Sequence, residues 1–206
     1  MKIVAIMGSS RKKSNTDNLL EMFLNKYNLN KEDLTKYVLK DLDYKYCLSC
    51  YNCARTSKCI LKDDVTGIYP LLEDADLIIF ATPIYYNSVT TLSKAFIDRM
   101  QVYWSRKFVL KLDPPREKHG VALINGGAFK QENQFLGSEL VFDHFFKSLG
   151  CKIRTFVEVS NTDDCPIDDK NEQLVEMLDG LEFDLKKDNH CVLSGGKIEY
   201  GNKQSN

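Results

Sequence analysis

The chain has 206 residues, a formal net charge of −1 at pH 7 and 43% hydrophobic residues. This length favours one compact domain with a substantial hydrophobic core. The near-neutral charge gives no sign of the basic patch that nucleic-acid binding needs, and the apolar runs are too short to cross a bilayer. The chain passes directly into a predicted strand without the pattern of a secretory signal peptide, so we expect a cytoplasmic protein.

The first predicted strand, Ile3 to Met7, is a nearly continuous apolar run that ends at Gly8. A loop rich in hydroxyl and basic side chains follows, and then a helix for which Asn15 or Thr16 is a suitable cap. This order suits a phosphate, because loop N–H groups and the positive end of a helix dipole meet there. Helix capping alone would explain the same residues equally well. The candidate phosphate ligands are Ser9, Ser10, Arg11, Ser14, Asn15 and Thr16.

A second predicted strand, 34–42, leads into a cluster of cysteines with the spacing C-x2-C-x2-C-x5-C. In a chain that looks intracellular, such crowding favours metal or redox chemistry over a disulfide framework. Overlapping C-x-x-C pairs are more typical of an iron–sulfur cluster than of structural zinc, although zinc, a disulfide or free thiols stay open. The predicted metal ligands are Cys47, Cys50, Cys53 and Cys59. Cys165, which precedes a proline, is a rival for the fourth position.

Helices and strands alternate along the rest of the chain. The predicted strands are 76–83, stopped by Pro83, then 120–125 and 152–159. The predicted helices are 67–73, one that carries Leu92, Phe96, Met100 and Tyr103 on one face, 135–149, and one marked by Leu174, Leu178, Leu181 and Leu185. A hairpin is predicted around Gly195 and Gly196. We therefore expect one domain at 1–187, with a cysteine-rich insert at about 45–64, and a tail at 188–206.

This alternation predicts an α/β fold, a three-layer sandwich with a five-stranded parallel sheet and helices on both faces. Five strands suit the flavodoxin-like order 2-1-3-4-5, in which ligands bind beyond the carboxyl ends of the strands. Two more polar loops lie at that edge. The loop after the third strand contains Thr82, Pro83, Ile84, Tyr85, Tyr86, Asn87 and Ser88. The loop after the fourth strand contains Asn125, Gly126 and Gly127.

Taken in this order, the segments resemble the NADPH-dependent FMN reductase branch of the flavodoxin-like superfamily, and more narrowly an iron–sulfur flavoprotein. The matching segments are the first loop 8–16, the loop 82–88, the helix 94–99 and the cysteine motif 47–59. The resemblance implies FMN as cofactor, with its phosphate at the first loop and its isoalloxazine ring beside 82–88. It also implies a 4Fe-4S cluster on the cysteines, although similar cysteine patterns occur in flavin reductases without a cluster.

The resemblance thus implies an FMN-dependent oxidoreductase in which the flavin, and no side chain, carries the redox chemistry. NAD(P)H or a ferredoxin-like protein would be the electron donor, and a small molecule or a redox protein the acceptor. The alternatives are an NAD(P)H-dependent FMN or quinone reductase without a cluster, and a non-enzymatic flavodoxin-type electron carrier. Aromatic residues in and after the loop 82–88 predict a homodimer or homotetramer. They are Tyr85, Tyr86, Tyr103 and Trp104.

Overall fold

The structure, a computed structural model, describes residues 1–113, 115–181, 183 and 186–201. One central sheet carries helices on both faces. The strands are β1 Lys2–Met7, β2 Asp33–Val38, β3 Leu77–Tyr85, β4 Ser88–Val89, β5 Lys118–Asn125, β6 Cys151–Val159, β7 Asn189–Ser194 and β8 Lys197–Gly201. The helices are α1 Asn15–Lys26, α2 Cys53–Thr56, α3 Asp64–Asp74, α4 Thr91–Arg99, α5 Gln101–Trp104, α6 Leu136–Ser148 and α7 Glu172–Gly180. A π-helical turn, Ser105–Val109, continues α5.

The strands are ordered β2-β1-β3-β5-β6-β7-β8, and the short β4 pairs with β3. The neighbours from β2 to β7 are parallel, which makes the fold flavodoxin-like. The predicted number of five strands is wrong, because the C-terminal residues add two strands to the sheet. β7 lies parallel to β6, and the predicted hairpin at Gly195 and Gly196 returns the chain as antiparallel β8.

β1 is buried on both faces, which explains its continuous apolar run. Val4 and Ile6 point into one core, formed mainly with α3, α4 and α6. Ile3, Ala5 and Met7 point into a second core, formed mainly with α1 and α7. Because side chains alternate along a strand, one short segment ties the two helical layers together. None of the helices in the described residues combines the length and the apolar character that crossing a membrane requires.

The structure moves several of the predicted element ends. α3 begins at Asp64 and not at residue 67, and α7 ends at Gly180, before Leu181, while Leu185 lies outside the described residues. β2 stops at Val38, before a 3-10 turn, so the predicted strand 34–42 is too long. β3 continues past Pro83, where the prediction stopped it. Its pairing with β1 has already ended at Ala81, so the missing N–H of the proline falls where one side of the strand is open.

The helix α1 begins with a different cap from the predicted one. Ser14 is the N-cap, and its Oγ accepts the Asp17 N–H at 3.2 Å. The Ser14 N–H in turn donates to the Asp17 carboxylate at 3.0 Å, which completes a capping box. Asn15 and Thr16, the predicted caps, lie inside the helix, and their side chains bind other loops.

Candidate functional site

The first loop, residues 8–16, joins β1 to α1 at the carboxyl edge of the sheet. Its start is fixed, since the Gly8 N–H donates to a β3 carbonyl at 2.7 Å. Ser9 is buried, and its Oγ accepts the Arg11 N–H at 3.2 Å. Ser10 and Arg11 are exposed at the tip of the loop. The loop therefore combines a fixed base with the exposed hydroxyl of Ser10 and the exposed cation of Arg11. Both lie next to a helix N-terminus, which attracts anions.

Two side chains of the first loop brace it against the neighbouring loops. Thr16 is buried, and its Oγ1 donates to Asn125 Oδ1 at 2.7 Å. Asn15 donates from Nδ2 to the Thr162 carbonyl at 2.9 Å and accepts the Ile167 N–H at the same distance. Both residues were predicted to bind phosphate. In the structure their side-chain polar atoms hold the carboxyl ends of β1, β5 and β6 together.

A cluster of hydroxyl groups lies beneath the first loop. Thr90 Oγ1 donates to the Gly8 carbonyl at 2.8 Å, and Thr82 Oγ1 lies 3.0 Å from Ser93 Oγ. A Cβ atom placed on Gly8 would lie 2.0 Å from Ser93 Oγ, so only glycine fits here. The prediction included Thr82 but missed Thr90 and Ser93. The hydroxyl residues around the start of α4 were the signal that could have revealed them, since Thr90 caps this helix.

The loop after β5 is joined to a polar loop after β6 that the sequence analysis did not assign to the site. The Asp163 N–H donates to the Gly127 carbonyl at 3.1 Å, and the Asn161 N–H donates to Ala128 at 2.9 Å. Asn161 adopts a positive φ of 62°, and its buried Oδ1 has no hydrogen-bond partner among the described residues. The polar run that follows β6 is the signal that was missed. This loop belongs to the same edge because parallel strands end there together.

The loop after β3 is a tight hairpin. Tyr86 and Asn87 form its two-residue turn with φ of 51° and 55°, and β4 then pairs with the end of β3. Tyr85 and Tyr86 are exposed, at 47% and 106% of their full accessible surface. Ile84 reaches back towards Gly126, where a Cβ atom would lie 3.0 Å from Ile84 Cδ1. The hairpin thus presents two aromatic side chains beside the loop after β5.

The structure brings the three predicted loops together at one edge but divides their residues by exposure. The buried residues are Ser9, Thr16, Thr82, Asn125 and Gly126. The half-buried residues are Ser14, Asn15, Pro83, Ile84, Ser88 and Gly127. The exposed residues are Ser10, Arg11, Tyr85, Tyr86 and Asn87. The first two groups build the frame, and the exposed group is available to a ligand.

The cysteine loop, residues 45–63, lies along α4. The Tyr44 hydroxyl, just before the loop, donates to the Leu92 carbonyl in the first turn of α4 at 2.8 Å. Further on, Cys53 Sγ lies 3.3 Å from Ser105 Oγ. Cys53 and Cys59 pack against the hydrophobic core. Cys47, Cys53 and Cys59 are half-buried, and Cys50 and Cys165 are exposed. The cysteine loop therefore begins near the edge that carries the first loop, because α4 starts there.

A buried ion pair closes the base of the cysteine loop. Arg99 binds Asp63 through both terminal nitrogens, at 2.6 and 3.0 Å, and its side chain is fully buried. Partial burial alone would raise the pKa of Asp63. Hydrogen bonds from Arg99 and from the Lys45 and Val65 N–H groups instead lower that pKa below its usual value. Burial alone would likewise lower the pKa of Arg99, but Asp63 raises it, so the pair stays charged.

The four sulfurs of the cysteine loop are ligands that two kinds of metal centre could use. All four thiols of the cysteine loop are free, and among the described residues no three of these sulfurs lie within 4.8 Å of one another. A zinc ion would hold its sulfurs at about 2.3 Å from one common point. A cuboidal cluster binds one thiolate at each of its irons, so its ligands lie further apart. The four thiols of the loop are therefore a donor set that suits a cluster, and zinc could use the same four sulfurs.

A groove of about 1030 Å³ lies away from the polar loops, between the α4–α5 segment and α6. Trp104, Phe108 and Leu140 line it and are 46%, 49% and 57% exposed. Tyr103, an aromatic predicted to face a second subunit, is buried and donates its hydroxyl hydrogen to the Tyr69 carbonyl at 3.1 Å. The prediction was wrong for Tyr103, because its position on the helix faces the core.

The strand order and the helices on both faces define a flavodoxin-like α/β protein, with polar loops that converge at the carboxyl edge of its sheet. The chain belongs to the NADPH-dependent FMN reductase family, which it matches over residues 1–129. This segment includes the first loop, the cysteine loop, the β3–β4 hairpin and the start of the loop after β5. The later strands β6 to β8 lie outside the matched segment.

Individual relatives agree with this family. The chain is 35% identical over 106 residues to an iron–sulfur flavoprotein of Archaeoglobus fulgidus, which covers 52% of this chain and 48% of that protein. It is 30% identical over 128 residues to an iron–sulfur flavoprotein of Methanosarcina thermophila, with 62% and 64% covered. The matches therefore span less than two thirds of either relative. An azoreductase structure from Bacillus anthracis has a TM-score of 0.65 at 14% identity, covers 86% and 94% of the two chains, and supports the fold alone.

Proposed function

We propose that the chain is an FMN-dependent oxidoreductase that takes electrons from NAD(P)H or a ferredoxin-like protein, with a 4Fe-4S cluster on its cysteine loop. One observation carries this proposal. The first loop, the β3–β4 hairpin and the loop after β5 converge at one edge, and the cysteine loop begins beside that edge through Tyr44 and α4. Membership of the FMN reductase family supports the flavin, and the names of the relatives support the cluster.

The residues at the edge fit the phosphate of FMN. Ser10 and Arg11 are exposed at the tip of the first loop and would donate to the phosphate, together with backbone N–H groups at the start of α1. Ser14 would act mainly on the loop itself, because its hydroxyl group already shares a capping box with Asp17. Asn15 and Thr16 would hold the loop in place rather than touch the phosphate.

The ring would lie between the β3–β4 hairpin and the loop after β5. When bound, FMN supplies the redox chemistry, since the flavin can accept a hydride and release electrons one at a time. Tyr85 and Tyr86 would shield the ring with apolar surface, and Asn87 would offer polar groups to its pyrimidine edge. Gly126 and Gly127 would form the floor of the site, with Asn125 held in place by its hydrogen bond from Thr16.

The proposed ligands of the cluster are Cys47, Cys50, Cys53 and Cys59. Two observations support Cys59 over Cys165 as the fourth ligand. Cys59 packs with Cys53 against the same hydrophobic core, whereas the exposed Cys165 contacts Asn161 in the loop after β6. A reductase without a cluster is the second candidate, because membership of the FMN reductase family supports the flavin and says nothing of a cluster.

We also infer a homo-oligomer. The groove beside α6 exposes Trp104, Phe108 and Leu140, and apolar and aromatic side chains of this kind are favoured in the cores of subunit interfaces. Light scattering at working concentration tests this inference. A monomer would contradict it without affecting the proposed chemistry.

One anaerobic purification tests the proposed function. We expect one FMN per chain, about four irons per chain and no zinc, together with oxidation of NAD(P)H in the presence of a generic acceptor. Protein that lacks flavin and refuses added FMN would contradict the whole proposal. Bound FMN with NAD(P)H oxidation but no iron would favour the reductase without a cluster. Bound FMN without NAD(P)H oxidation would favour a ferredoxin-like donor or a simple electron carrier.

Two variants test the ligand assignment. Cys53→Ser should remove the absorbance of the cluster and leave FMN bound, because the first loop is a separate segment. Cys165→Ser is the matched control and should change neither. If Cys165→Ser abolishes the cluster and Cys59→Ser does not, the fourth ligand is Cys165.

A further inference from the structure

One segment, residues 99–106, touches the cysteine loop at three separate places. Arg99 binds both ends of the loop, as described below. Ser105 Oγ lies 3.3 Å from Cys53 Sγ in the middle of the loop. Arg106 Nε donates to the Ser57 carbonyl at 2.8 Å. The cysteine loop is therefore seated on the end of α4 and the turn that follows it.

Arg99 is the contact that closes the loop. Its Nη1 donates to the Lys45 carbonyl at 2.8 Å, at the beginning of the loop, and to Asp63 at 2.6 Å, at the end. The Lys45 N–H also donates to Asp63, at 3.2 Å. A planar guanidinium can bind both ends at once because its donors form a fixed fork, which a lysine ammonium does not provide.

Arg99 also lies next to one of the proposed cluster ligands. The Tyr69 hydroxyl donates to the Arg99 carbonyl at 3.1 Å, and Cys59 packs against the hydrophobic core that contains Tyr69. Cys59 and the Arg99 guanidinium are close enough to interact electrostatically. Arg99 Nε is buried and has no hydrogen-bond partner among the described residues. A buried donor without a partner is costly, so this nitrogen can accommodate negative charge brought into the neighbourhood.

We propose that Arg99 is the positioning residue of the cysteine loop, which folds the loop into a metal-ready shape and offsets the negative charge of the thiolates at Cys59. The part of this inference that concerns iron rests on the proposed function, and the part that concerns the shape of the loop does not. Four thiolates on one short loop repel one another, so a fixed buried cation lowers the cost of gathering them. Arg99 touches no reacting atom, and its effect passes through the loop.

The test compares Arg99→Gln and Arg99→Lys with the wild-type protein. The matched control is Arg154→Gln, since Arg154 is also a buried arginine bound to carboxylates but lies on β6, away from the cysteine loop. Iron and FMN per chain are measured after anaerobic purification and a fixed chelator challenge. Amide hydrogen exchange across residues 46–62 and alkylation rates of Cys53 and Cys59 are then measured on the chelator-treated protein.

We expect Arg99→Gln to retain FMN, to lose iron affinity by about 10–100-fold, as when an outer-shell partner of a metal site is removed, and to exchange faster across 46–62. Arg99→Lys should lie between wild type and Arg99→Gln, and Arg154→Gln should match wild type in both iron and loop exchange. If Arg99→Gln does not fold, Arg99→Lys decides the same comparison because it keeps the buried charge and loses the fork.

The outcomes separate this inference from the proposed function. If folded Arg99 variants retain as much iron as wild type and their amide hydrogens across 46–62 exchange at the wild-type rate, the inference is overturned. The proposed cluster is not affected by that result. Wild-type protein without iron would contradict the cluster. In that case faster exchange across 46–62 in the Arg99 variants alone would still support the role of Arg99 in shaping the loop, and unchanged exchange would overturn it.

Discussion

The first loop and the cysteine loop are held in opposite ways. The first loop is anchored along its whole length, by the Gly8 backbone, the Ser14 capping box and the bonds from Asn15 and Thr16 to other loops. The cysteine loop is closed at its base by the Arg99–Asp63 pair and keeps much of its surface exposed, including Tyr46, Leu48 and Tyr51.

This difference determines how much stability each loop loses when one contact is removed. Several hydrogen bonds together fix the first loop, so the loss of one of them should lower the free energy of unfolding by only about 1 kcal/mol. One buried ion pair closes the base of the cysteine loop, and breaking such a pair leaves an uncompensated charge in the interior. A rigid frame suits a phosphate of constant shape. A loop fixed at its base can adjust its middle when a metal centre is inserted.

The largest effect is expected where the cysteine loop is closed. Asp63→Asn should lower the free energy of unfolding by about 3–5 kcal/mol, because the Arg99 charge then lies buried without its partner. Urea unfolding measures this loss. The control is Asp98→Asn, which breaks the exposed pair between Lys94 and Asp98 on the same helix and should cost at most about 0.5 kcal/mol. Equal losses in both variants would contradict the comparison drawn here.

A smaller loss is expected at the start of the first loop. Gly8→Ala places a Cβ atom 2.0 Å from Ser93 Oγ, and such overpacking should cost about 1–3 kcal/mol in unfolding free energy. FMN retention should fall in the same variant, because the loop must shift. Gly67→Ala is the control. It has open space around the new Cβ atom within α3 and should raise stability by up to about 1 kcal/mol. If Gly8→Ala leaves the free energy of unfolding unchanged, the loop moves more easily than its contacts indicate.

The capping box gives a smaller effect again. Ser14→Ala removes the cap of α1 and should lower the free energy of unfolding by about 1 kcal/mol. Ser10→Ala, at the exposed tip of the same loop, should leave unfolding unchanged and weaken FMN retention. Thermal unfolding and flavin release are measured on both variants. Together they distinguish a residue that stabilises the loop from a residue that contacts FMN. If the two variants behave alike in both measurements, that division of roles is wrong.

The pH dependence should be the smallest effect. Asp63 has a lowered pKa in the folded chain, because its hydrogen bonds outweigh its partial burial. Its contribution to stability is therefore complete above its unfolded pKa of about 3.9, and is lost as the pH falls through the lower, folded pKa. Urea midpoints compared between about pH 6 and about pH 3 should fall less in Asp63→Asn than in wild type. If the urea midpoints of wild type and Asp63→Asn fall equally between the two pH values, the titration of Asp63 does not contribute to stability.

Local patterns predicted most of the elements and most of the frame. The apolar run of β1, the hydroxyl-rich first loop and the helix before Gly150 are each visible in a short window of sequence, and the structure confirms them. The loop after β6 was missed because its polar run, the one local signal, does not by itself mark the loop as part of the site. Its membership follows from its contacts with the loop after β5 and with Asn15, which is 147 residues from Thr162 in sequence.

What the sequence by itself determined is the parallel α/β fold, its ligand edge and the four-cysteine motif, because strand periodicity, turn residues and cysteine spacing are local properties. Only the tertiary structure decided that the tail extends the sheet, that Asn15 and Thr16 brace the site, and that Arg99 closes the cysteine loop on Asp63. Arg99 and Asp63 are 36 residues apart, and each reads as an ordinary surface charge. Their burial and pairing arise from the packing of α4 against the loop, which no local pattern encodes.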